Sequence, residues 1–139
     1  MKGAYLIFMK LMESKKIQIG KLGEIKFKKG YYVYVGSAMN SIKSRTGRYI
    51  RGIRKKKWHI DYFIEHTALL YIVEIASDKR IEAELSNLIE SFEGIPIKGF
   101  GNTDLKEVPS NLYYFKKKPE DLVENVRNNG YNVAAVVVG

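Results

Sequence analysis

The chain has 139 residues, enough for one domain built around one hydrophobic core. It is 45% hydrophobic and 28% charged, an ordinary globular composition, and its lack of cysteine excludes disulfides, thiolate metal sites and thiol catalysis. Its 24 Lys and Arg against 15 Asp and Glu leave a net charge of +9, which points to a polyanionic partner, and two histidines, His59 and His66, are too few for a metal centre built on imidazole.

In chain order, the apolar run Tyr5 to Leu11, broken by Lys10, predicts a first strand. It is too short to span a membrane and no cleavage signal follows it, so a cytoplasmic protein with no membrane partner is expected. Gly23 to Lys28 alternates with period two, and Tyr31 to Val35 is aromatic and β-branched. With Gly20, Gly23, Gly30 and Gly36 as turn residues, these runs predict an antiparallel hairpin or meander.

From about Asn40 to Arg54 the period becomes helical, with Ile42, Thr46, Tyr49, Ile50 and Ile53 inward and Arg48, Arg51 and Lys55 outward. Trp58 to Ile64 predicts a short second helix and Leu70 to Ile75 a buried strand. Ser77 or Asp78 is the expected cap of a helix reaching about Glu93, with Ile81, Leu85, Leu88 and Phe92 as its core stripe. Gly94 and Pro96 end it. Leu112 to Phe115 follows as a strand, then a helix with Pro119 in its first turn, then an apolar strand from Tyr131 to Val138. Interleaved strands and helices starting from a hairpin predict an α+β fold.

The positive charge is concentrated. Between Ser41 and Lys57 stand eight basic residues, Lys43, Arg45, Arg48, Arg51, Arg54, Lys55, Lys56 and Lys57, and no acidic one. Lesser blocks are Lys26, Lys28 and Lys29, and Lys116 to Lys118. A cluster of that density is an electrostatic footprint for a polyanion, with a solvated basic surface or a membrane surface as the lesser readings.

Three further features could carry chemistry. Tyr5 and Tyr34 lie beside glycine-bearing turns on adjacent predicted strands. Arg45 falls at the margin of the apolar helix stripe, where a guanidinium needs an anion, either a carboxylate such as Glu82 or a bound phosphate. Glu82 and Glu84 flank a core stripe, and one carboxylate with waters and substrate phosphates is a common way to hold Mg²⁺.

Gly3-Ala4-Tyr5, followed by Tyr34-Val35-Gly36-Ser37 and then by Arg45 and Tyr49, resembles the ordered motif set of the GIY-YIG nuclease superfamily. Gly30 to Ala38, Trp58-His59-Ile60-Asp61-Tyr62 and Gly99-Phe100-Gly101-Asn102-Thr103-Asp104 are similar to the hallmarks of its Uri-type subgroup of small prokaryotic proteins. The likeness is collinear from Gly3 to about Phe115. It implies a small central antiparallel sheet of about three core strands flanked by helices, over about 3–93, with a strand-helix-strand extension over about 94–139. It also implies hydrolysis of phosphodiester bonds with Mg²⁺ or Mn²⁺.

Carried over by residue, Tyr5 would be the general base, with Tyr34 beside it. Arg45 would neutralise the phosphate, Tyr49 would orient the nucleophile or the phosphate, and Glu82 or Glu84 would hold the metal. Ala4 stands where the superfamily has isoleucine, and the subgroup's cysteines near Ala83 and Leu105 are absent. His59 and Asp61 either meet DNA or the active site or cap their helix. The implied partner is nucleic acid, DNA ahead of RNA. A binding module that keeps the fold without cleavage is the alternative function.

Overall fold

A computed structural model describes residues 1–101 and 108–138. The Asn102-Thr103-Asp104 part of the third subgroup hallmark, and Leu105, lie outside the described residues. The fold is α+β, with four helices and eight strands among the described residues.

The central strand, β1 (Gly3–Leu11), reads as a nearly unbroken apolar run because both of its faces are covered. Tyr5, Ile7, Met9 and Leu11 enter one core cluster, and Ala4, Leu6 and Phe8 enter the other. The next two strands, β2 (Lys15–Gln18) and β3 (Glu24–Phe27), do not join it, but form their own two-stranded ribbon. Instead β1 pairs antiparallel with β4 (Gly30–Ala38) on one side and β5 (Ala68–Ala76) on the other. Beyond β4 come β7 (Leu112–Phe115) and the short β6 (Ile95–Pro96), and beyond β5 comes β8 (Asn132–Val138). The main sheet therefore has six strands, in the order β6-β7-β4-β1-β5-β8; β1, β4 and β5 come from 3–93, where about three core strands were expected, and β6, β7 and β8 come from the expected C-terminal extension. The sequence pattern showed most of these strands, but their partners are set by packing between distant segments.

Helices cover both faces. On one face, α1 (Ile42–Arg51) and α2 (His59–Ile64) contribute Ile42, Tyr49, Ile60, Phe63 and Ile64 to the first cluster. On the other, α3 (Glu82–Ser91) and α4 (Leu122–Asn128) contribute Leu85, Ile89, Leu122 and Val126 to the second.

The helix boundaries differ from expectation for local reasons. Ser41 caps α1, its hydroxyl accepting the Ser44 N–H at 3.2 Å. The helix stops at Arg51 rather than Arg54, because Gly52 leaves helical space with φ 98°. That rotates the expected stripe: Ile50 is 50% exposed, and Arg48, expected outward, is half-buried. Ser77 does not cap α3; its hydroxyl closes a turn on Lys79, and the helix begins at Glu82 behind the buried Ile81. Phe92, expected in the α3 stripe, lies past the helix end and is exposed. Pro119 precedes α4, its carbonyl accepting the Leu122 N–H.

Candidate active site

Tyr5 and Gly36 face each other across β1 and β4, and the Tyr5 ring lies over the glycine. From there the phenol reaches the Tyr49 hydroxyl on α1 at 3.1 Å. The Tyr34 ring, two residues before Gly36, is tilted against Tyr5 with centroids 6.5 Å apart, but shares no hydrogen bond with it. The three rings form a buried cluster beneath α1, with Tyr5 1% exposed.

Burial raises all three phenols above their ordinary value, because a phenolate loses its solvation there. The hydrogen bond between Tyr5 and Tyr49 splits the pair, lowering Tyr5 and raising Tyr49, and either hydroxyl can be its donor. Arg45 also pulls Tyr5 down. Neither effect overcomes desolvation, so the Tyr5 phenol stands above its ordinary value.

Arg45 donates to the Ser37 carbonyl at 3.2 Å and stacks on Trp58, its guanidinium carbon 4.4 Å from the ring centroid. It has no ion pair with Glu82 or any other carboxylate among the described residues, so its charge faces the cluster unneutralised.

The two glutamates separate. Glu82 opens α3 and its negative charge is felt by Tyr5 and Tyr34, raising both. One of its oxygens accepts the Asn111 side-chain N–H at 2.6 Å. Glu84, two residues on, points elsewhere and accepts the exposed Tyr131 hydroxyl at 3.0 Å. Of the two registers left open by the sequence, only Glu82 belongs to the cluster.

Asn111, before β7, was not singled out in the sequence, since no local pattern marks it. It is fully buried, donates to the Val35 carbonyl and to Glu82, and leaves its Oδ1 without a partner. A buried amide oxygen without a partner beside a carboxylate is a costly arrangement unless a ligand meets it.

Asp61 settles as structural. Its carboxylate, 0% exposed, accepts both Arg48 guanidinium ends at 3.2 and 2.8 Å and the backbone N–H of Lys57 and Trp58. His59 lies in a related position, its Nδ1 accepting the Gly101 N–H at 2.8 Å, its ring against Phe100 and its pKa lowered by burial. Of the other basic residues, Lys43, Arg51, Arg54, Lys55, Lys56 and Lys57 are exposed, and Lys56 pairs with Glu65.

Tyr5, Tyr34, Arg45 and Tyr49 thus converge, with Glu82 near enough for its charge to raise Tyr5 and Tyr34; Glu84 bonds to Tyr131 instead, and His59 packs on Phe100, which also meets the Tyr34 ring. The profile of one protein family, described as "Domain of unknown function DUF123", matches residues 4–132. No curated protein and no solved structure matches the chain.

Proposed function

Because the chain belongs to the family described as domain of unknown function DUF123, whose description names no activity, we propose a function from its own site: a metal-dependent endonuclease of GIY-YIG type that hydrolyses phosphodiester bonds in DNA. The observation that carries it is the meeting of Tyr5, Arg45, Tyr49 and Glu82, from three separate elements, at one place.

A phosphoryl transition state gathers negative charge on its oxygens, and the unpaired Arg45 guanidinium is held to receive it. Tyr5, once it has lost its proton to solvent, takes the proton of the attacking water and returns to the neutral phenol, and the Tyr49 hydroxyl stabilises the phenolate before that transfer by donating to it. Tyr34 walls the other side of the Tyr5 ring.

Glu82 and the partnerless Asn111 Oδ1 are hard oxygen donors of the kind Mg²⁺ or Mn²⁺ takes. No group of three or more His, Asp or Glu among the described residues could hold a metal alone, which suits a cation completed by waters and substrate phosphates. Such a cation, when bound, supplies charge neutralisation at the leaving oxygen. Lys43, Arg51, Arg54, Lys55 and Lys57 steer and hold the polyanion.

A nucleic-acid-binding module without cleavage is the second reading, and the raised pKa of the buried Tyr5 favours it, since a protonated phenol is no base. Single-turnover assays on branched, damaged and linear DNA with Mg²⁺ or Mn²⁺ decide between them. Cutting that EDTA abolishes supports the nuclease. Metal-independent cutting overturns this mechanism, and salt-sensitive binding with no cutting of any substrate leaves the module.

A further inference from the structure

Beside the tyrosine cluster, the end of α1 opens on a hollow of about 450 Å³ lined by Arg48, Arg51, Arg54, Lys55 and Lys57. Gly52 creates it. With φ 98° it turns the chain back after α1, so cations from the last helical turn and from the following segment face one space.

Of those five, only Arg48 is ion-paired among the described residues. Four unneutralised positive charges therefore share one concavity, where they repel one another and raise the local potential. The α1 C-terminus contributes about half a negative charge, which offsets only a fraction of this.

The hollow is also built, not merely decorated. The buried Asp61 carboxylate ties Arg48 of α1 to the backbone of Lys57 and Trp58, joining two of its walls. The Trp58 ring then carries Arg48 at 4.5 Å and Lys57 at 5.1 Å, together with Arg45 at 4.4 Å. One indole thus touches the guanidinium of the tyrosine cluster and two cations of the hollow.

We propose that this hollow is a second phosphate site, which takes another phosphate group of the strand whose scissile phosphate lies at Arg45. Trp58 is the positioning residue that holds the two sites in register. The ligand class rests on the nucleic-acid reading above; the geometry does not.

Trp58 is the single tryptophan, so its fluorescence reports on the site directly. The probes are short single-stranded oligodeoxynucleotides with or without a terminal phosphate, or with one internal methylphosphonate, titrated in EDTA so that nothing turns over. Wild type is expected to show a saturable fluorescence change, and the Arg51→Ala, Arg54→Ala double variant to bind about tenfold more weakly, the scale of one lost charge-assisted contact. Tighter wild-type binding of the terminally phosphorylated probe assigns a terminal phosphate. Weaker binding of the methylphosphonate probe by wild type, but not by the double variant, assigns an internal one. Unchanged affinity in the double variant overturns the site.

Binding of a labelled probe, followed by anisotropy, tests the positioning role. Trp58→Leu should weaken it roughly threefold and Trp58→Phe should restore most of the loss, as a cation–π contact requires. Equal loss in both variants removes Trp58 from the proposal. These readouts need no cleavage, so an inactive protein would sink the nuclease and leave this inference standing on its own result.

Discussion

The Tyr5 ring occupies the space that a side chain at Gly36 would need, since the two residues are direct partners across β1 and β4. The glycine after Tyr34-Val35 is thus explained by Tyr5 rather than by a turn: Gly36 lies within a regular strand. Removing the side chain at one position fixes the direction of the phenol at another.

Gly36→Ala should accordingly push Tyr5 off its bond to Tyr49. Forcing one methyl into a filled core costs about 1–3 kcal/mol. Denaturant unfolding should show a lower midpoint at unchanged slope, and single-turnover cleavage should fall with it. A variant as stable and active as wild type would mean the ring has room to move.

Arg45→Ala should slow cleavage by roughly 10²–10³-fold, the scale of losing one electrostatic stabiliser. Affinity should change far less, because Arg51, Arg54 and Lys55 still line the hollow proposed for phosphate. Arg45→Lys should not recover the rate, since an ammonium cannot both stack on Trp58 and donate to Ser37 in the same plane. Equal rates for wild type and Arg45→Ala would remove Arg45 from the chemistry.

The glutamates should behave differently although they are two residues apart. Glu82→Gln should mimic the chelator, while Glu84→Gln should leave cleavage near wild type, because among the described residues its carboxylate bonds to Tyr131 and not to Asn111. Single-turnover rates against Mg²⁺ concentration measure this. Loss of activity in the Glu84 variant with retention in the Glu82 variant would reverse the assignment.

Alkali should unfold the protein through its buried phenols. Tyr5, Tyr34 and Tyr49 have raised pKa values when folded, so the unfolded chain releases its phenolic protons near pH 10 while the native state keeps them. Their contribution to stability is whole below about pH 10 and shrinks as pH rises above it. Thermal melts between pH 8 and 11 should show the drop, and Tyr49→Phe should make it shallower. An unchanged alkaline slope in that variant would exclude the cluster as its cause.

Much of this protein was legible in the chain alone. The period-two and period-3.6 patterns placed β1, β4, β5, α1, α3 and β8 within a few residues, because each must show an apolar face to a core. The resemblance of Tyr5, Tyr34, Arg45 and Tyr49 to an ordered motif set also implied one site, and these residues do meet. The partners of each strand were not legible, nor that β6, β7 and β8 would join β1, β4 and β5 in one six-stranded sheet, because pairing is chosen by long-range packing that no local window contains. The choice between Glu82 and Glu84 likewise needed α3 to be seated on the sheet, since either fits the sequence and only one faces the tyrosines. Asn111 and the Trp58 stack were invisible for the same reason. Their chemistry comes from neighbours 29 residues away for Asn111 and Glu82, and from another helix for Trp58 and Arg45. Arg48 was legible as a cation but not as a paired one, because its partner Asp61 is brought under it only when α2 folds back across α1.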